Sequence, residues 1–529
     1  MKKGYGMLEA MKGKFLRKKT LYTICFILLG LIDFVRHTQQ EELWGPLVNC
    51  AGILLLVITA SQYKLKELKG RFAYIWSGIF VVLMSIAALW QEAHIFGIYK
   101  WTAFVALINV WLIGILAYRV SQKIFVEKTI QVKWNAVSIL AVIMTFFMML
   151  SPCRAVWPIW FLAVFGLFYL TRFEKNDFLN LMEAMVDGTI ITFFILQIYA
   201  YGYRPFDEAR YLGAFSNSNM TALHYLVTYT AILFKLHFLV MKGSAKKWRV
   251  IFFIGAAGLL DFQILTMTRT AWVISAVITI LFGIVVVKGI WGKSWRALLG
   301  RAAALGLSVL ILFPVVFATV RWLPPLRHHP VWYAGEWKES KVHSFDPADS
   351  EKYTDFDEFM GDILERLRII GSINNPLVLK AQAAENVEYR PLTLIGSESL
   401  TLSLRVRLTI YKAYLEDLNW MGHGKAEGHY ILSEYNTFVW HPQNVWIQVA
   451  YYYGIPAGIL FLALTVLILV KQICAIVKQK NVYSFVPLFI STVFFTYGLT
   501  EIVWIVGQLI LFLFLFMLHP QFGEKEVTV

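Results

Sequence analysis

Long apolar runs are the feature of this sequence that most restricts its fold. Each run approaches the roughly 20 residues that a helix needs to cross the hydrocarbon core of a bilayer. Hydrophobic residues make up 58% of the 529 positions and charged residues only 16%, whereas about a quarter of the residues in a soluble domain are charged. The runs therefore predict an all-α polytopic membrane protein rather than several soluble domains.

The predicted spans number about fourteen at the length that a bilayer requires, and they divide the chain into three parts. Residues 1–320 hold the first eleven spans. Residues 321–442 form one large polar segment, and residues 443–529 hold the last three spans and a short cytoplasmic tail. The approximate limits of the spans are 20–35, 46–61, 73–90, 101–118, 135–151, 156–171, 183–200, 220–240, 249–267, 271–288, 302–320, 443–470, 483–498 and 501–518.

The distribution of lysine and arginine among the loops predicts the orientation. Loops rich in these residues alternate with loops that carry very few, and basic loops face the cytoplasm. Basic residues before the first span, with no small-residue cleavage site after it, indicate a retained helix rather than a signal peptide. We therefore expect a multi-pass plasma-membrane protein with both termini in the cytoplasm. The basic loops account for the net charge of +15, so the lipid bilayer is the expected partner and nucleic acid is not.

The segment 321–442 differs in charge from the rest of the chain and is predicted to be extracytoplasmic. Residues 322–440 contain 12 Lys and Arg against 17 Asp and Glu. Apolar residues at helical spacing predict one helix over residues 353–370. A second helix is predicted from Ser403 to Leu418, where two glycines follow and end it. One large, partly helical extracytoplasmic loop therefore interrupts the predicted membrane domain.

Arginines near the predicted outer face are the first candidate binding residues. Arg269 lies in a very short predicted outer turn, where arginine is disfavoured. It is either a snorkelling interfacial residue or a ligand for an anion, since a guanidinium binds phosphate through two hydrogen bonds. Arg405 and Arg407 lie two positions apart on the second predicted loop helix, so they point to different faces and at most one faces a site. Arg210 precedes the eighth span.

Asparagines and a histidine accompany these arginines. Asn217 and Asn219 either cap a helix that starts at Met220 or lie at a helix N-terminus that favours an anion. His441, three residues before Asn444, is either a capping or interfacial residue or a general base. No cluster of Cys, His and carboxylates has metal-ligand spacing, so neither a metal nor a cofactor is expected. An anionic lipid headgroup such as a diphosphate fits these residues, which do not by themselves distinguish transfer chemistry from transport.

Four motifs in order resemble those of the O-antigen ligase and Wzy-type polysaccharide polymerase family. Segment 210–219 resembles the family pattern Arg-Leu-x-Gly-x-Phe-x-Asn-x-Asn, and segment 268–271 resembles a Ser/Thr-Arg-Thr-Ala turn. Arg407 and Tyr411, followed by a Gly-x-Gly sequence, resemble a third motif. Segment 441–458 resembles a His/Asn pair that leads into a helix with Gly-(Ile/Leu)-x-Gly. The resemblance covers about residues 200–470, and the large loop has a similar place in the chain.

The resemblance implies a GT-C-like membrane glycosyltransferase with an extracytoplasmic active site and no metal or cofactor. The donor would be a glycan on a polyprenyl diphosphate, and the acceptor either another lipid-linked repeat unit or a terminal surface sugar. Arg269 and Arg407, helped by Arg210, would hold the diphosphate and stabilise the charge of the leaving phosphate. His441 would accept or orient the acceptor hydroxyl proton, with inversion of the anomeric centre. The other residues implied to bind substrate are Asn217, Asn219, Arg405, Gln443 and Asn444.

One position departs from the family pattern. The family commonly has histidine directly before the asparagine, where this sequence has Gln443, and His441 stands two residues earlier. Glutamine cannot act as a base. Either His441 serves as the base, or the group mainly orients the substrate and Gln443 replaces it by hydrogen bonding.

Two alternatives from other classes stay open. A flippase of lipid-linked oligosaccharides would use polar residues inside the membrane, for which the main candidates are Asp33, Glu183, Asp187 and Asp261. An assembly protein with an inert outer domain would tolerate substitution of the arginines. A flippase rarely needs an acidic outer loop of this size, so glycosyl transfer is the favoured hypothesis.

Overall fold

A computed structural model describes most of the chain outside the long polar segment. The described part is predominantly helical and contains two short hairpins. The described residues are 18–38, 44–94, 99–130, 134–152, 156–203, 206–207, 210–215, 217–326, 359–361, 363–364, 400–424, 429–431, 437–439, 441–478, 482–505 and 508–523.

The part of the chain before the polar segment consists of helices with short connections. A hairpin of β1 (Phe206–Asp207) and β2 (Arg210–Tyr211) is the most elaborate of these connections. Leu65–Leu68 forms a single helical turn, and two helices continue as π-type helix at Gln122–Val126 and Phe282–Ile290. The helices are α1 (Lys18–Thr38), α2 (Trp44–Ala60), α3 (Arg71–His94), α4 (Tyr99–Ser121), α5 (Ala136–Leu150), α6 (Val156–Leu170), α7 (Lys175–Tyr203), α8 (Ser218–Met241), α9 (Lys246–Leu265), α10 (Arg269–Leu281) and α11 (Trp295–Leu326).

The remaining elements follow the polar segment or belong to its end. A second hairpin pairs β3 (His429–Ile431) with β4 (Thr437–Val439) in antiparallel register, with Tyr430 opposite Phe438. A 3₁₀ turn at Pro520–Gly523 ends the described chain. The helices are α12 (Leu400–Glu416), α13 (Val445–Tyr453), α14 (Ile455–Val477), α15 (Phe485–Tyr497) and α16 (Leu509–Phe516).

The described helices confirm the prediction of an all-α membrane protein. Eight of them are long and apolar enough to cross a membrane, by length and composition, and four shorter apolar helices accompany them. The total of about fourteen spans of bilayer length and their orientation stay predictions. The eight apolar stretches are Arg71–Leu89, Thr102–Val126, Lys175–Tyr201, Ser218–Met241, Lys246–Leu265, Arg269–Ile290, Trp295–Val320 and Ile455–Val477.

The predicted twelfth span, residues 443–470, is wrong as a single helix. The structure has two helices here, because Gly454 adopts a φ of 95° between α13 and α14. A β-carbon on Gly454 would lie 2.2 Å from the carbonyl oxygen of Trp420, and one on Gly422 would lie 2.4 Å from that of Tyr452. The two glycines therefore allow the chain that follows α12 to cross closely over the break.

The predicted fourteenth span, residues 501–518, is also shorter than expected. Residues 502–505 have no regular secondary structure, and α16 covers only Leu509–Phe516. All eight residues of α16 are buried. A helix that is apolar on all sides can be a buried core helix or a membrane span, and the apolar run of α16 is therefore compatible with both.

The predicted extracytoplasmic loop is described only in part. Its second predicted helix is present as α12. Of the first predicted helix, 353–370, residues 359–361 and 363–364 are described and are helical, and the rest lies outside the described residues. Phe359 packs on Phe313 and Phe317, with ring centroids 6.0 and 5.3 Å apart. Those contacts attach this part of the loop to α11.

Helices α1 and α7 run parallel, and their ends define the two ends of the bundle. Lys18 pairs with Asp177 near both N-termini, and Phe34 packs on Tyr199 near both C-termini. The Lys18 end is called the lysine end below. The opposite end gathers the β1–β2 hairpin, the starts of α8, α10 and α13, and the ends of α9 and α15. It is called the arginine end because it holds Arg210, Arg269 and Arg407.

Ion pairs at the lysine end engage two of the carboxylates considered for transport. Lys19 lies 2.6 Å from Glu183, which also pairs with Lys242. Lys235 lies 2.5 Å from Asp187. These pairs connect α1, α7 and α8, so Glu183 and Asp187 have a clear role in holding the bundle together.

Candidate functional site

The arginine end contains three helix N-termini, whose first backbone N–H groups have no partner within their own helix. Asn217 caps α8, since its Oδ1 accepts from the backbone N–H of Asn219 at 2.8 Å. Asn444 caps α13, accepting from the N–H groups of Trp446 and Ile447 at 3.0 and 3.2 Å. Asn217 therefore has the capping role that was one of its two predicted alternatives. The positive ends of these helix dipoles favour an anion at this end of the molecule.

Arg210 braces the turn that carries Arg269. Its Nε donates to the carbonyl oxygen of Thr266 at 3.2 Å. A terminal nitrogen donates to Oδ1 of Asn219 at 2.9 Å and to Oγ1 of Thr268 at 3.2 Å. These bonds connect β2 with the first turn of α8 and with the connection between α9 and α10. Arg210 therefore has a positioning role, whether or not it also touches a ligand.

Arg269 and Arg407 come together from distant parts of the chain. Arg269 is the first residue of α10 and Arg407 lies on α12, and both are partly buried. Their positive charges lie close enough to repel each other. A nearby anion relieves such repulsion between like charges. The side chain of Arg405, two positions earlier on α12, lies outside the described part of the chain.

Glu501 is a site residue that the motifs did not identify. Its side chain is 6% exposed, and Oε1 accepts from Nδ2 of Asn219 at 2.6 Å. Burial raises the pKa of Glu501 above its ordinary value, although the charges of Arg407 and Arg210 act in the opposite direction. Asn219 is thus not the cap of α8 but a bridge between Arg210 and Glu501. The sequence does contain one indication that Glu501 has a function, because it is an acidic residue in a short loop between two apolar runs.

The loop that carries Glu501 is tied to both arginine-bearing helices. The hydroxyl group of Tyr411, one helical turn after Arg407 on α12, donates to the carbonyl oxygen of Leu499. The hydroxyl of Thr500 donates to that of Thr270 on α10 at 3.4 Å. The loop therefore fixes the positions of α10 and α12 relative to each other, and with them the two arginines.

Two residues with left-handed backbone conformations precede polar residues of the site. Met267 has a φ of 51° and is followed by Thr268 and Arg269, and Gln443 has a φ of 47° and is followed by Asn444. Residues other than glycine pay roughly 1–2 kcal/mol in this region, and such strain clusters at functional sites. Histidine adopts positive φ more readily than most residues. The histidine that the family commonly has at the position of Gln443 therefore suits this backbone.

His441 lies just before the cap of α13 and is mostly buried from water. Burial lowers the pKa of His441, so the neutral imidazole is favoured. Its Nδ1 is buried and has no hydrogen-bond partner among the described residues. A neutral imidazole can accept a proton, and the role of His441 as the base stays a prediction.

Metal-ligating side chains do not cluster in the described part of the chain. No group of three or more His, Cys, Asp or Glu residues there has an arrangement that would hold a metal ion. The charged groups that act on one another there include the guanidinium groups of Arg269, Arg407 and Arg210 and the carboxylate of Glu501. This set suits a polyanionic ligand that binds directly to arginine.

Comparison with protein-family models, with curated proteins and with solved structures gave no match for this chain. The geometry of the arginine end and the motif resemblance are therefore what support a function for this chain.

Proposed function

We propose that this protein is an extracytoplasmic glycosyltransferase that uses a polyprenyl-diphosphate-linked glycan as donor. It transfers the glycan to an acceptor sugar and so polymerises or ligates a surface polysaccharide, without a metal ion. The observation that carries the proposal is the convergence of Arg269 and Arg407, two partly buried arginines whose helices α10 and α12 are both hydrogen-bonded to the loop that carries Glu501.

A diphosphate matches this pair of arginines in charge and in geometry. Its two phosphoryl groups give each guanidinium a partner that accepts two parallel hydrogen bonds. Its negative charge also removes the repulsion between Arg269 and Arg407. The N-terminus of α10 adds backbone N–H groups beside Arg269 and favours the same anion.

Transfer proceeds by attack of an acceptor hydroxyl on the anomeric carbon of the donor sugar. The new glycosidic C–O bond forms on one face while the C–O bond to the diphosphate breaks on the other, so the anomeric centre inverts. Negative charge grows on the leaving diphosphate, where fixed arginines stabilise the transition state more than the ground state. The hydroxyl proton passes to a base, and the neutral imidazole of His441 is the candidate.

Glu501 and Asn219 complete the donor site. The negative charge of the Glu501 carboxylate attracts the positive charges of Arg407 and Arg210. Asn219 links Glu501 to Arg210, since it donates to Glu501 at 2.6 Å and accepts from Arg210 at 2.9 Å. In this proposal the carboxylate keeps the arginines in place before the donor arrives. The diphosphate then adds negative charge beyond that of the Glu501 carboxylate.

Conservative substitution of the two arginines tests the proposal directly. Arg269→Lys and Arg407→Lys keep the positive charge but lose the two-hydrogen-bond geometry. Loss of one preorganised donor costs roughly 100-fold in rate, so each variant should transfer at about 1% of the wild-type rate in proteoliposomes that contain lipid-linked glycan. Arg296→Lys, an exposed position on α11, is the matched control. Wild-type rates for both test variants would exclude the diphosphate clamp.

The glycans of a deletion strain separate the two possible acceptors. Single repeat units left on the lipid carrier indicate a polymerase, whereas long chains left on the carrier indicate a ligase. Restoring the wild-type gene should clear either product, and restoring the Arg407→Ala variant should not.

Transport of a lipid-linked oligosaccharide is a second candidate, and Asp261 favours it. This residue of α9 is completely buried, and both carboxylate oxygens lack a hydrogen-bond partner among the described residues. Buried ionisable residues in membrane helices often belong to transport pathways. In that case the deletion strain would accumulate intact units that face the cytoplasm, and proteoliposomes would show movement of the donor without transfer.

A further inference from the structure

A cavity of about 460 Å³ opens at the lysine end, far from the arginines. It lies between the start of α5, the last turns of α14, the start of α15 and the chain that follows α16. The polar residues that matter to its chemistry are Asn135, Lys471, Gln472 and Lys478. This cavity has no part in the proposed transfer reaction, because it lies at the other end of the bundle.

The charge of the cavity wall is positive. Lys471 and Lys478 lie seven residues apart on the last turns of α14 and its C-cap, so they face the same side of the helix. Both residues are exposed, and the described residues that line the cavity include no aspartate or glutamate. An anion that enters the cavity therefore meets the ammonium groups of both lysines.

A buried polar group in the same wall also lacks a partner. Gln472 is 8% exposed, and its Nε2 donates to Oγ of Ser491 at 2.9 Å. Its Oε1 is buried and has no hydrogen-bond partner among the described residues. A buried carbonyl oxygen without a donor is unfavourable, so a ligand hydroxyl group that reaches it would stabilise it.

The rest of the wall is mainly apolar. Ile468 and Val470 of α14, Val137 of α5 and Pro487 of α15 line it together with Met517. A phosphate ion or a sugar phosphate would leave this surface exposed to water. A ligand with a charged head and hydrocarbon chains would cover both parts of the wall.

We propose that this cavity binds an anionic phospholipid with a hydroxylated headgroup. The phosphate lies between Lys471 and Lys478, a headgroup hydroxyl donates to Oε1 of Gln472, and the acyl chains follow the apolar wall. Basic pockets between membrane helices are a known chemical solution for anionic headgroups. The lipid would join α5, α14 and α15, so it would stabilise the lysine end.

Cys474 lines the cavity and is exposed, which makes it a probe of occupancy. The experiment uses a variant in which Cys25, Cys50 and Cys153 are replaced by alanine. The protein is reconstituted in nanodiscs of phosphatidylcholine alone or with phosphatidylglycerol, and the rate of Cys474 alkylation by a small water-soluble maleimide is measured. We expect phosphatidylglycerol to slow alkylation several-fold, and Lys471→Ala with Lys478→Ala to remove most of that difference.

Three controls separate lipid binding from other causes. A cysteine at Lys246, which lies at the same end but does not line the cavity, reports the effect of membrane surface charge on any thiol. Lys246→Ala with Lys247→Ala matches the charge change of the test variant and should keep the protection of Cys474. Glycerol phosphate, the headgroup without chains, should give no protection.

Three results would overturn the proposal. The first is equal slowing of alkylation at Cys474 and at the cysteine introduced at Lys246. The second is full protection after both cavity lysines are removed. The third is protection by glycerol phosphate alone, which would assign the cavity to a soluble phosphate compound instead of a lipid.

Discussion

At the scale of single residues, Glu501 tests whether the arginine end needs a negative charge beside its arginines. Replacing Glu501 by glutamine keeps an oxygen that accepts from Asn219 but removes the negative charge beside Arg407 and Arg210. A hydrogen bond to a charged group contributes about 1.5–3 kcal/mol, so we expect the transfer rate to fall at least about tenfold. The measurement is consumption of lipid-linked donor by purified Glu501→Gln in proteoliposomes.

An exposed glutamate on α12 gives the matched control for that substitution. Glu416 forms an exposed ion pair with Lys412 at 3.7 Å, and such pairs contribute little to stability. Glu416→Gln should therefore keep the wild-type rate. Equal rates for Glu501→Gln and Glu416→Gln would show that the buried carboxylate does not contribute to the site.

The pH dependence of transfer tests the role of His441. Burial lowers the pKa of His441 below the ordinary histidine value of about 6.5. A lowered pKa means that the neutral base persists as the pH falls, so kcat/KM should stay level from neutral pH to about 6.5 and decline only below it. His441→Gln should transfer slowly and lose this acidic decline. A wild-type decline that begins above neutral pH would contradict the assignment and favour the orienting role of Gln443.

At the scale of secondary structure, the apolar runs predicted the long helices because hydrophobic length is a local property of sequence. The predicted eighth span, 220–240, corresponds to α8, and the ninth, 249–267, corresponds to α9. The break at Gly454 could not be predicted in the same way, since apolar residues continue on both sides of it. It depends on the close approach of Trp420, which belongs to a distant turn.

Substitution of Gly454 by alanine tests the importance of this break. Alanine is strained at a φ of 95°, and its β-carbon would lie 2.2 Å from the carbonyl oxygen of Trp420. Strain of this kind costs about 1–3 kcal/mol, so the thermal unfolding temperature and the transfer rate should both fall. Gly258→Ala in α9 is the control, because a β-carbon there has no neighbour within 4 Å. Equal unfolding temperatures for the two variants would contradict the proposed crossing.

At the scale of the whole molecule, the sequence identified the types of residue in the site better than their arrangement. Arg269 and Arg407 were predicted from an unusual loop arginine and from a motif, and the structure places them together. Glu501 belongs to none of the motifs, and only folding places it beside Asn219. The capping role of Asn444 and the bracing role of Arg210 likewise depend on contacts between distant segments.

The two ends of the bundle lead to a last prediction about orientation. The basic loops predict that the lysine end faces the cytoplasm, so we expect the arginine end, where Trp420 is 71% exposed, to face outward. In a cysteine-free background, an impermeant maleimide should label Trp420→Cys in right-side-out membrane vesicles but label Lys246→Cys only after permeabilisation. The reverse labelling pattern would place the arginines in the cytoplasm and rule out extracytoplasmic transfer at this site.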